Sequence, residues 1–322
     1  MPRTPLVVVG ASAGGVQALQ RLLTTLPPEL PAAVAITLHR APVEDDRLPA
    51  ILGRHSRLPV TSARDGEAVR PGRAYVAPAG LHVALVDDHF QLTAGPRENG
   101  SRPAIDVLFR TAAEAHGRKV VGVLLSGLLD DGTAGMAAIK AAGGFTIVQD
   151  PSDALFGDMP KNAMANVQID VVCPVDEMAP HIEAALASMS VPIGTRAEPA
   201  VNEPSEFSCP DCGGVLWRLE QDGVLRYRCR TGHAYSPSGL FQRQDMAVET
   251  ALWTAARALE ERADMSESLA KRLRARGLHP AATRLEHQSR MARERAKVVH
   301  DTVTDLVVRR EAVEANEQST GS

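Results

Sequence analysis

Residues 6–15 constrain the fold more than any other part of the sequence. They begin with three valines at 7–9, a β-branched run that is typical of a buried strand, and the run stops at Gly10. An amphipathic, helix-like pattern follows at residues 16–26. We therefore predict a strand, a tight turn that carries Ser12, and a helix. Glycines permit a cramped backbone at such a turn, and the first N–H groups of the helix are free to bind a ligand.

The turn reads Gly10-x-Ser12-x-Gly14, and three interpretations are open. The pattern matches the nucleophile elbow of acyl-transfer enzymes, in which a serine hydroxyl is exposed beside backbone N–H donors. It also partly matches a dinucleotide-binding loop, although Ser12 takes the position of the second glycine. The third interpretation is a small-residue turn that only packs a helix on a strand.

Composition narrows the class of protein. The chain has 322 residues, enough for two or more domains, and 44% are apolar but only 3% aromatic, so aliphatic side chains must fill the core. The net charge of −4 argues against general nucleic-acid binding. No apolar run approaches the roughly 18 residues of a membrane span, and the N-terminal apolar run breaks at glycines, unlike a signal peptide. We expect a cytoplasmic protein without membrane insertion.

Strand and helix patterns alternate through the first 190 residues. This alternation predicts an α/β fold with a mostly parallel, doubly wound sheet. Residues 74–78, 82–86 and 90–93 are short, closely spaced and separated by turns, so we expect them to form an antiparallel meander or hairpin.

Three polar side chains follow three of the predicted strands. Ser12, His39 and Asp131 each come just after a strand, and ligands of such sheets bind beyond the carboxyl ends of the strands. Together they match a catalytic triad, in which the histidine takes the serine proton and the aspartate fixes the histidine tautomer. Taken singly, His39 could only end a strand, and Asp131 with Gly132 could form a turn and a helix N-cap.

The same region resembles the catalytic domain of the CheB-type chemotaxis protein-glutamate methylesterases. The resemblance is carried, in order, by VGASAGG at 9–15, LH at 38–39, YVAP at 75–78, RPAIDVLF at 102–109, SGLLDDGTAGM at 126–136, QDP at 149–151 and FGDMP at 156–160. That family hydrolyses methyl esters of glutamate side chains on chemoreceptor helices, and glutamine deamidation is chemically allied.

The resemblance implies a role for each site residue and no cofactor for catalysis. Ser12 would be the nucleophile, His39 the general base, and Asp131, which precedes a glycine as in the family, the orienting carboxylate in preference to Asp130. The backbone N–H groups of Ala13 and Leu128 would bind the oxyanion.

Two departures from the family pattern keep other functions open. Ala13 replaces the usual Thr, and Ser-Gly-Leu-Leu at 126–129 replaces Thr-Gly-Met-Gly, so Leu129 stands where the family has glycine. A non-catalytic signalling adaptor is therefore an alternative. A nucleotide-binding protein that uses the glycine-rich turn is a second one. Because the first strand begins at residue 6, we expect a separate receiver or signalling protein to regulate the chain, rather than an attached receiver domain.

The second half predicts a metal-binding module. Residues 1–190 would form the catalytic domain, and residues 191–206, rich in Pro, Ala and charge, would form a linker. Within residues 207–241, Cys209-x2-Cys212, sixteen residues and Cys229-x3-His233 have the spacing of a zinc ribbon, with strands at 215–220 and 224–228. Four protein ligands would make the zinc structural, so its removal is expected to leave esterase activity largely intact. A redox or vestigial site is the alternative.

The last segment predicts an α-helical hairpin at residues 242–310 and a disordered tail at 311–322. Residues 271–297 contain nine Lys or Arg and two Glu. This basic stretch is either a solvated helix face or a docking surface for acidic helical partners, such as methylated receptor segments.

Overall fold

The computed structural model describes residues 3–42, 46–189 and 201–320. It divides into two compact units, Met1–Leu240 and Phe241–Ser322. The first unit holds nine strands of the predicted α/β region: β1 Leu6–Ala11, β2 Ala33–Leu38, β3 Val60–Ser62, β4 Ala74–Val76, β5 His82–Val86, β6 His89–Thr93, β7 Val120–Leu124, β8 Phe145–Gln149 and β9 Val171–Cys173.

Seven of these strands form one sheet in the order β3-β4-β2-β1-β7-β8-β9, and every neighbouring pair is parallel. Every residue of β1, β2 and β7 is buried, as expected for central strands that are covered on both faces. The predicted doubly wound α/β fold is confirmed.

Helices cover the sheet on both faces and create two apolar cores. They are α1 Gly15–Thr25, α2 Leu48–Gly53, α3 Ile105–His116, α4 Thr133–Ala141, α5 Asp158–Asn166 and α6 Met178–Ser188. One core contains buried residues of α1, α2 and α6, and the other contains those of α3, α4 and α5 together with the β5–β6 hairpin. Alternate side chains of a strand point to opposite faces, so Val7 lies in the first core and Val8 in the second.

The predicted antiparallel meander or hairpin is confirmed as a hairpin that uses two of the three segments. Only β5 and β6 form an antiparallel hairpin. The preceding β4 lies in the main sheet instead, parallel to β2 on one side and to β3 on the other. All three residues of β4 are buried, and a strand buried on both faces is satisfied inside a parallel sheet rather than in an exposed hairpin.

A small four-stranded antiparallel sheet follows within the same compact unit, and we call it the ribbon. Its strands are β10 Val201–Ser208, β11 Val215–Gln221, β12 Val224–Cys229 and β13 Ala234–Tyr235. The predicted pair is confirmed as β11 and β12, joined at Asp222 and Gly223, which both have left-handed φ values of 53° and 74°. β10 begins inside the predicted linker, and residues 191–200 lie outside the described residues.

The second unit contains most of the expected αα-hairpin. The two helices are α7 Pro237–Ala275, which starts in the first unit, and α8 His279–Thr320. Small buried residues recur every seven positions along both helices, which lets the two backbones approach closely: Ala256, Ala263 and Ala270 on α7, and Ala282, Ser289, Ala296 and Val303 on α8.

The end of α8 differs from the prediction. We expected disorder from residue 311, but the helix continues to Thr320, and the last two residues lie outside the described part of the chain. The sequence from 311 to 318 is rich in Ala, Glu and Gln, which favour helix. Among the described residues, no helix combines the length and apolar character that crossing a membrane requires.

Candidate active site

Ser12 lies on the turn between β1 and α1, as the sequence predicts. Its backbone N–H donates to the carbonyl of Ser126 at 2.9 Å, which ties the turn to the residues after β7. Gly14 has a left-handed φ of 71°, and an added Cβ there would lie 2.8 Å from Ser126 Oγ. The turn therefore needs glycine both for its backbone angle and for its space.

His39 follows β2 and contacts both other members of the predicted triad. Its backbone N–H donates to Ala11 at 3.1 Å, so it is held in register beside β1. Its Nδ1 lies 3.2 Å from Ser12 Oγ, and its Nε2 lies 2.6 Å from Asp131 Oδ2. A carboxylate only accepts, so these partners assign the neutral ring a proton on Nε2 and leave Nδ1 to accept from the serine hydroxyl.

The Asp131 carboxylate is buried and bonded on both oxygens. Besides His39, Oδ2 accepts the N–H of Ile105 at 2.7 Å, and Oδ1 accepts from Asn99 Nδ2 at 3.1 Å and from the N–H of Asp106 at 3.1 Å. Burial alone would raise the pKa of Asp131, but the hydrogen bonds, led by that of His39, hold the pKa at about 2. The group is therefore an anion that orients the imidazole and stabilises its protonated form.

A second buried carboxylate, Asp106, supports the loop that carries Asp131. Its Oδ1 accepts the N–H groups of Gly132 at 3.1 Å and Gly135 at 2.7 Å. Burial and the charge of Asp131 raise the pKa of Asp106 to about 6, and Arg226 and Arg110 oppose this rise. The two aspartates are thus held side by side by backbone N–H groups and by nearby guanidinium groups.

Two arginines from different parts of the chain balance the charge of the buried carboxylates Glu98 and Asp106. Glu98 is 2.9 Å from Arg110 Nη2 on α3 and 2.7 Å from Arg226 Nη2 on β12. Burial would raise the pKa of Glu98, but the two arginines outweigh it and hold the pKa at about 2. Arg226 Nη2 also lies 3.7 Å from Asp106 Oδ2.

The backbone around Ser12 offers donors for a developing negative charge. Within the described residues, the N–H groups of Ala13 and Leu128 donate no hydrogen bond, whereas the N–H of Gly127 is taken by Phe156 at 2.9 Å. Leu129 has a left-handed φ of 67°, a conformation that favours glycine. Its carbonyl accepts from Asn162 Nδ2 at 2.8 Å, which anchors the loop in this conformation.

A separate cluster in the ribbon has the donors of a metal site. The ligand atoms of Cys209, Cys212, Cys229 and His233 all lie within 4.8 Å of one another. The Sγ atoms of Cys212 and Cys229 are 3.6 Å apart, and Cys209 Sγ is 3.6 Å from His233 Nδ1. A tetrahedral zinc with bonds of about 2.3 Å requires sulfur–sulfur separations of about 3.8 Å, so this set of donors fits zinc.

The structure brings together all three residues of the predicted triad and, elsewhere, all four predicted metal ligands. Ala13 and Leu128, whose N–H groups are the predicted oxyanion donors, lie on the turns after β1 and β7. Sequence reasoning missed Asn99, Arg226 and the supporting role of Asp106. Asp106 lies in the first turn of α3, where an acidic residue is a recognisable signal, but no local pattern marks Asn99 or Arg226.

Comparison with known proteins finds a family and relatives for the α/β region. The sequence profile described as CheB methylesterase matches residues 7–182. A protein-glutamate methylesterase/protein-glutamine glutaminase 1 of Burkholderia pseudomallei (strain 1710b) is 40% identical over 188 residues, which cover 57% of this chain and 51% of the relative. A protein-glutamate methylesterase/protein-glutamine glutaminase 2 of Anaeromyxobacter dehalogenans (strain 2CP-C) is 40% identical over 176 residues, 55% of this chain and 52% of that protein.

A solved structure also matches. The crystal structure of the Thermotoga maritima CheB methylesterase catalytic domain superimposes with a TM-score of 0.54 at 32% identity, covering 56% of this chain and 97% of that one. The chain spans about half the length of the curated relatives it matches. The similarity therefore covers the α/β region and not the ribbon or the helical hairpin.

Proposed function

Because the chain belongs to the CheB methylesterase family, we propose that it is a hydrolase of glutamate methyl esters in chemoreceptor-like proteins. The observation that carries this proposal is the continuous contact from Ser12 Oγ through the His39 ring to Asp131, at 3.2 Å and 2.6 Å. A hydroxyl, an imidazole and a buried carboxylate in this order are the groups that acyl transfer by a serine requires.

The proposed reaction has two halves. Ser12 Oγ attacks the ester carbonyl while His39 Nδ1 takes the hydroxyl proton, and the imidazolium is stabilised by Asp131 through Nε2–H. Collapse of the tetrahedral intermediate breaks the bond to the methoxy oxygen, which leaves as methanol with the proton from Nδ1. Water then attacks the acyl-serine and loses a proton to His39. The bond between the acyl carbon and Ser12 Oγ breaks, Oγ takes that proton from His39 Nδ1, and the glutamate carboxyl group is released.

Backbone N–H groups would stabilise the negative charge on the carbonyl oxygen in both halves. The free N–H groups of Ala13 and Leu128 lie on the two turns that flank Ser12, and they are the proposed oxyanion donors. Loss of one such donor in other enzymes costs about 10² to 10³ in turnover. Leu129 has the left-handed φ of 67° that glycine adopts readily, which supports the proposal that the turn keeps its shape although leucine replaces the family glycine.

No cofactor enters the proposed chemistry. The cysteine and histidine cluster of the ribbon is proposed to hold a structural zinc, because four protein ligands leave no open position for a substrate or a water molecule. A bound zinc would supply folding energy to the ribbon. The convergence of four ligand atoms within 4.8 Å of one another favours a metal site over a purely redox or vestigial role for the cysteines.

Substrate, partners and location are proposed from the family. Methylated receptor helices are the proposed substrate, a separate receiver or signalling protein is the proposed regulator, and the cytoplasm is the proposed setting. The named relatives are also protein-glutamine glutaminases, and deamidation would follow the same path with ammonia as the leaving group.

The two alternative functions, a signalling adaptor and a nucleotide-binding protein, would give different results in binding and activity measurements. A signalling adaptor would bind receptors without releasing methanol. A nucleotide-binding protein would use the glycine-rich turn, but the space beside Gly14 is filled by the side chains of Ser126 and Leu155. Calorimetric titration with nucleotides is therefore expected to give no heat of binding.

Methanol release from a methylated receptor, compared between the wild type and Ser12→Ala, tests the proposal. The expected loss of turnover is about 10⁴-fold or more, because the variant has no nucleophile. Ser152→Ala is a matched control, since Ser152 is exposed on a turn after β8. Equal rates for Ser12→Ala and wild type would remove the triad assignment, and no release by either protein would favour the adaptor.

A further inference from the structure

The ribbon is in direct contact with the loop that supports the triad carboxylate. The N–H of Asn99 donates to the carbonyl of Ala234 at 2.8 Å, and Glu98 and Ala234 form a parallel bridge. The space beside Gly232 is occupied by Pro96, which would lie 3.1 Å from an added Cβ. Residues 232–234 of the ribbon therefore pack against residues 96–99.

Asn99 connects the ribbon to Asp131 through one side chain. Its Oδ1 accepts the N–H of Ser236 at 2.9 Å, just after β13, and its Nδ2 donates to Asp131 Oδ1 at 3.1 Å and to Asp106 Oδ2 at 3.3 Å. The bond from Ser236 determines which end of the amide faces the carboxylates. Without it the amide could rotate and present its oxygen to Asp131, where two acceptors would face each other.

Arg226 supplies charge from the ribbon to the same place. Its side chain is only 12% exposed, and Nη2 lies 2.7 Å from Glu98 and 3.7 Å from Asp106. Glu98, Asp106 and Asp131 form an acidic cluster whose cations are Arg110 of α3 and Arg226 of β12. Removal of Arg226 would leave Arg110 as the nearest guanidinium for buried carboxylates, and unbalanced buried charge is costly.

Asp130 provides a third contact, directly beside the triad carboxylate. Ser236 Oγ donates to Asp130 Oδ1 at 2.7 Å, and Ser238 Oγ donates to Asp130 Oδ2. Ser236 also caps α7, since its Oγ accepts the N–H of Gly239 at 3.0 Å. The start of α7 therefore holds the loop that presents Asp131.

We propose that the ribbon positions the catalytic triad: Arg226, as a positioning residue, and Ser236 hold Glu98, Asn99 and Asp106 in the arrangement that aligns Asp131 with His39. The inference rests on the proposed esterase function and assigns a role to a segment outside the matched family region. The metal would act on the triad indirectly, through the small core of the ribbon. That core contains Cys209, Leu216, Cys229, Tyr235 and Leu240. Two of these five residues are proposed metal ligands.

The proposal reverses the expectation from the sequence that zinc removal leaves turnover intact. A segment of this size has too little core to keep its shape without a staple. When the metal is lost, Arg226 and Ser236 lose their fixed positions, and the Asp131 side chain loses its supports on that side. Misplacement of a catalytic group by about 1 Å lowers turnover by about 100-fold.

The decisive variants are Arg226→Met and Arg226→Lys in the full chain. Met keeps the length of the side chain without its charge, and Lys restores the charge. We expect Arg226→Met to lower kcat by about 10- to 100-fold while KM for a methylated receptor stays within about twofold, because the triad and not the binding surface is altered. Arg226→Lys should recover most of the loss. Arg218→Met, at an exposed arginine on the neighbouring strand β11, is the matched control and should behave like the wild type.

A second readout does not depend on turnover. The proton between His39 Nε2 and Asp131 Oδ2, across 2.6 Å, should give a low-field NMR resonance that is absent from Asp131→Asn. We expect Arg226→Met to shift or broaden this resonance and Arg226→Lys to restore it. If the wild type releases no methanol, the proposed function fails, and the resonance alone then decides whether the ribbon positions the triad.

Metal removal covers the case in which Arg226→Met does not fold. Zinc is removed stepwise from the wild type with a chelator and then returned, while bound zinc, kcat and the resonance are followed. Loss and recovery of kcat and of the resonance in step with zinc supports the proposal. An unchanged kcat and resonance in folded, zinc-loaded Arg226→Met, or in the zinc-free wild type, overturns it.

Discussion

At the residue scale, His39 uses its ring nitrogens in the opposite order to the familiar serine protease triad, in which the serine contacts Nε2. Here Nδ1 faces Ser12 and Nε2 faces Asp131. The order of the strands explains this. β1 neighbours β2, so Ser12 is close to the ring atom nearest the His39 backbone, whereas Asp131 follows β7 on the far side of β1 and meets the distal nitrogen.

The acidic cluster beside the triad links the site to stability. The Glu98 pKa is lowered from 4.5 to about 2 in the fold, mainly by the charges of Arg110 and Arg226 acting against burial. A carboxyl group with a lowered folded pKa stabilises the protein above its unfolded pKa, and this contribution is lost as the pH falls through the folded pKa.

We therefore expect the difference in the free energy of unfolding between the wild type and Glu98→Gln to become smaller as the pH falls. At about pH 6 the wild type should be more stable by up to about 3 kcal/mol, and the gap should close between about pH 4.5 and pH 2. Urea unfolding of both proteins at several pH values measures it. A stability gap that does not change with pH would contradict this assignment.

At the element scale, the turn after β1 is the most constrained local structure of the site. An added Cβ on Gly14 of this turn would contact Ser126 and Leu155, and one on Gly127 of the turn after β7 would contact Ser12 and Met159. The two turns after β1 and β7 are therefore packed against each other, and a change in one moves the nucleophile.

Gly14→Ala and Gly66→Ala separate the requirement for backbone angle from the requirement for space. Both glycines have left-handed φ, at 71° and 72°, but only Gly14 has atoms within 3 Å of an added Cβ, whereas nothing lies within 4 Å at Gly66. Each substitution should cost about 1 kcal/mol for the backbone angle. Gly14→Ala should cost about 1 to 3 kcal/mol more by overpacking and should also lower turnover.

Denaturant unfolding and methanol release measure these effects. Gly66→Ala is the control for the angle alone and should keep wild-type turnover. Similar stabilities and rates for both variants would mean that the neighbours of Gly14 move aside at little cost, and that the turn does not determine the position of Ser12.

At the scale of the whole molecule, charge is distributed unevenly. The chain carries a net charge of −4, yet residues 271–297 of the helical hairpin contain nine basic residues. Arg274 pairs with Glu286, and Arg293 pairs with Asp264 and Glu267. Among the described residues, no ion pair is formed by the exposed side chains of Arg272, Arg276, Arg284, Arg290, Arg295 and Lys297.

If this surface docks acidic receptor helices, binding should depend on salt. We expect KM for a methylated, acidic receptor segment to rise several-fold from about 0.05 M to about 0.5 M salt, with kcat little changed, because exposed charges are screened. The double variant Arg290→Glu, Arg295→Glu should raise KM at low salt and weaken the salt dependence. Arg218→Glu outside the hairpin is the control, and an equal salt dependence in all three proteins would identify the basic stretch as a solvated helix face.

The sequence by itself determined the parallel α/β fold, the β5–β6 hairpin, the β11–β12 pair and the helical hairpin, because each depends on local signals of hydrophobic period, glycine and turn residues. It also selected Ser12, His39 and Asp131, since strand ends in a parallel sheet meet at one edge. Their catalytic roles stay a prediction.

Only the tertiary structure decided how the site is supported. Nothing near residue 226 in the sequence indicates that its guanidinium reaches Glu98, 128 positions away, or that Ser236 orients the amide of Asn99. The local pattern likewise groups β4 with the β5 and β6 segments that follow it, whereas its partners in the structure are β2 and β3. Long-range pairing depends on which buried surfaces and charges meet after the chain has folded, and no local pattern records that choice.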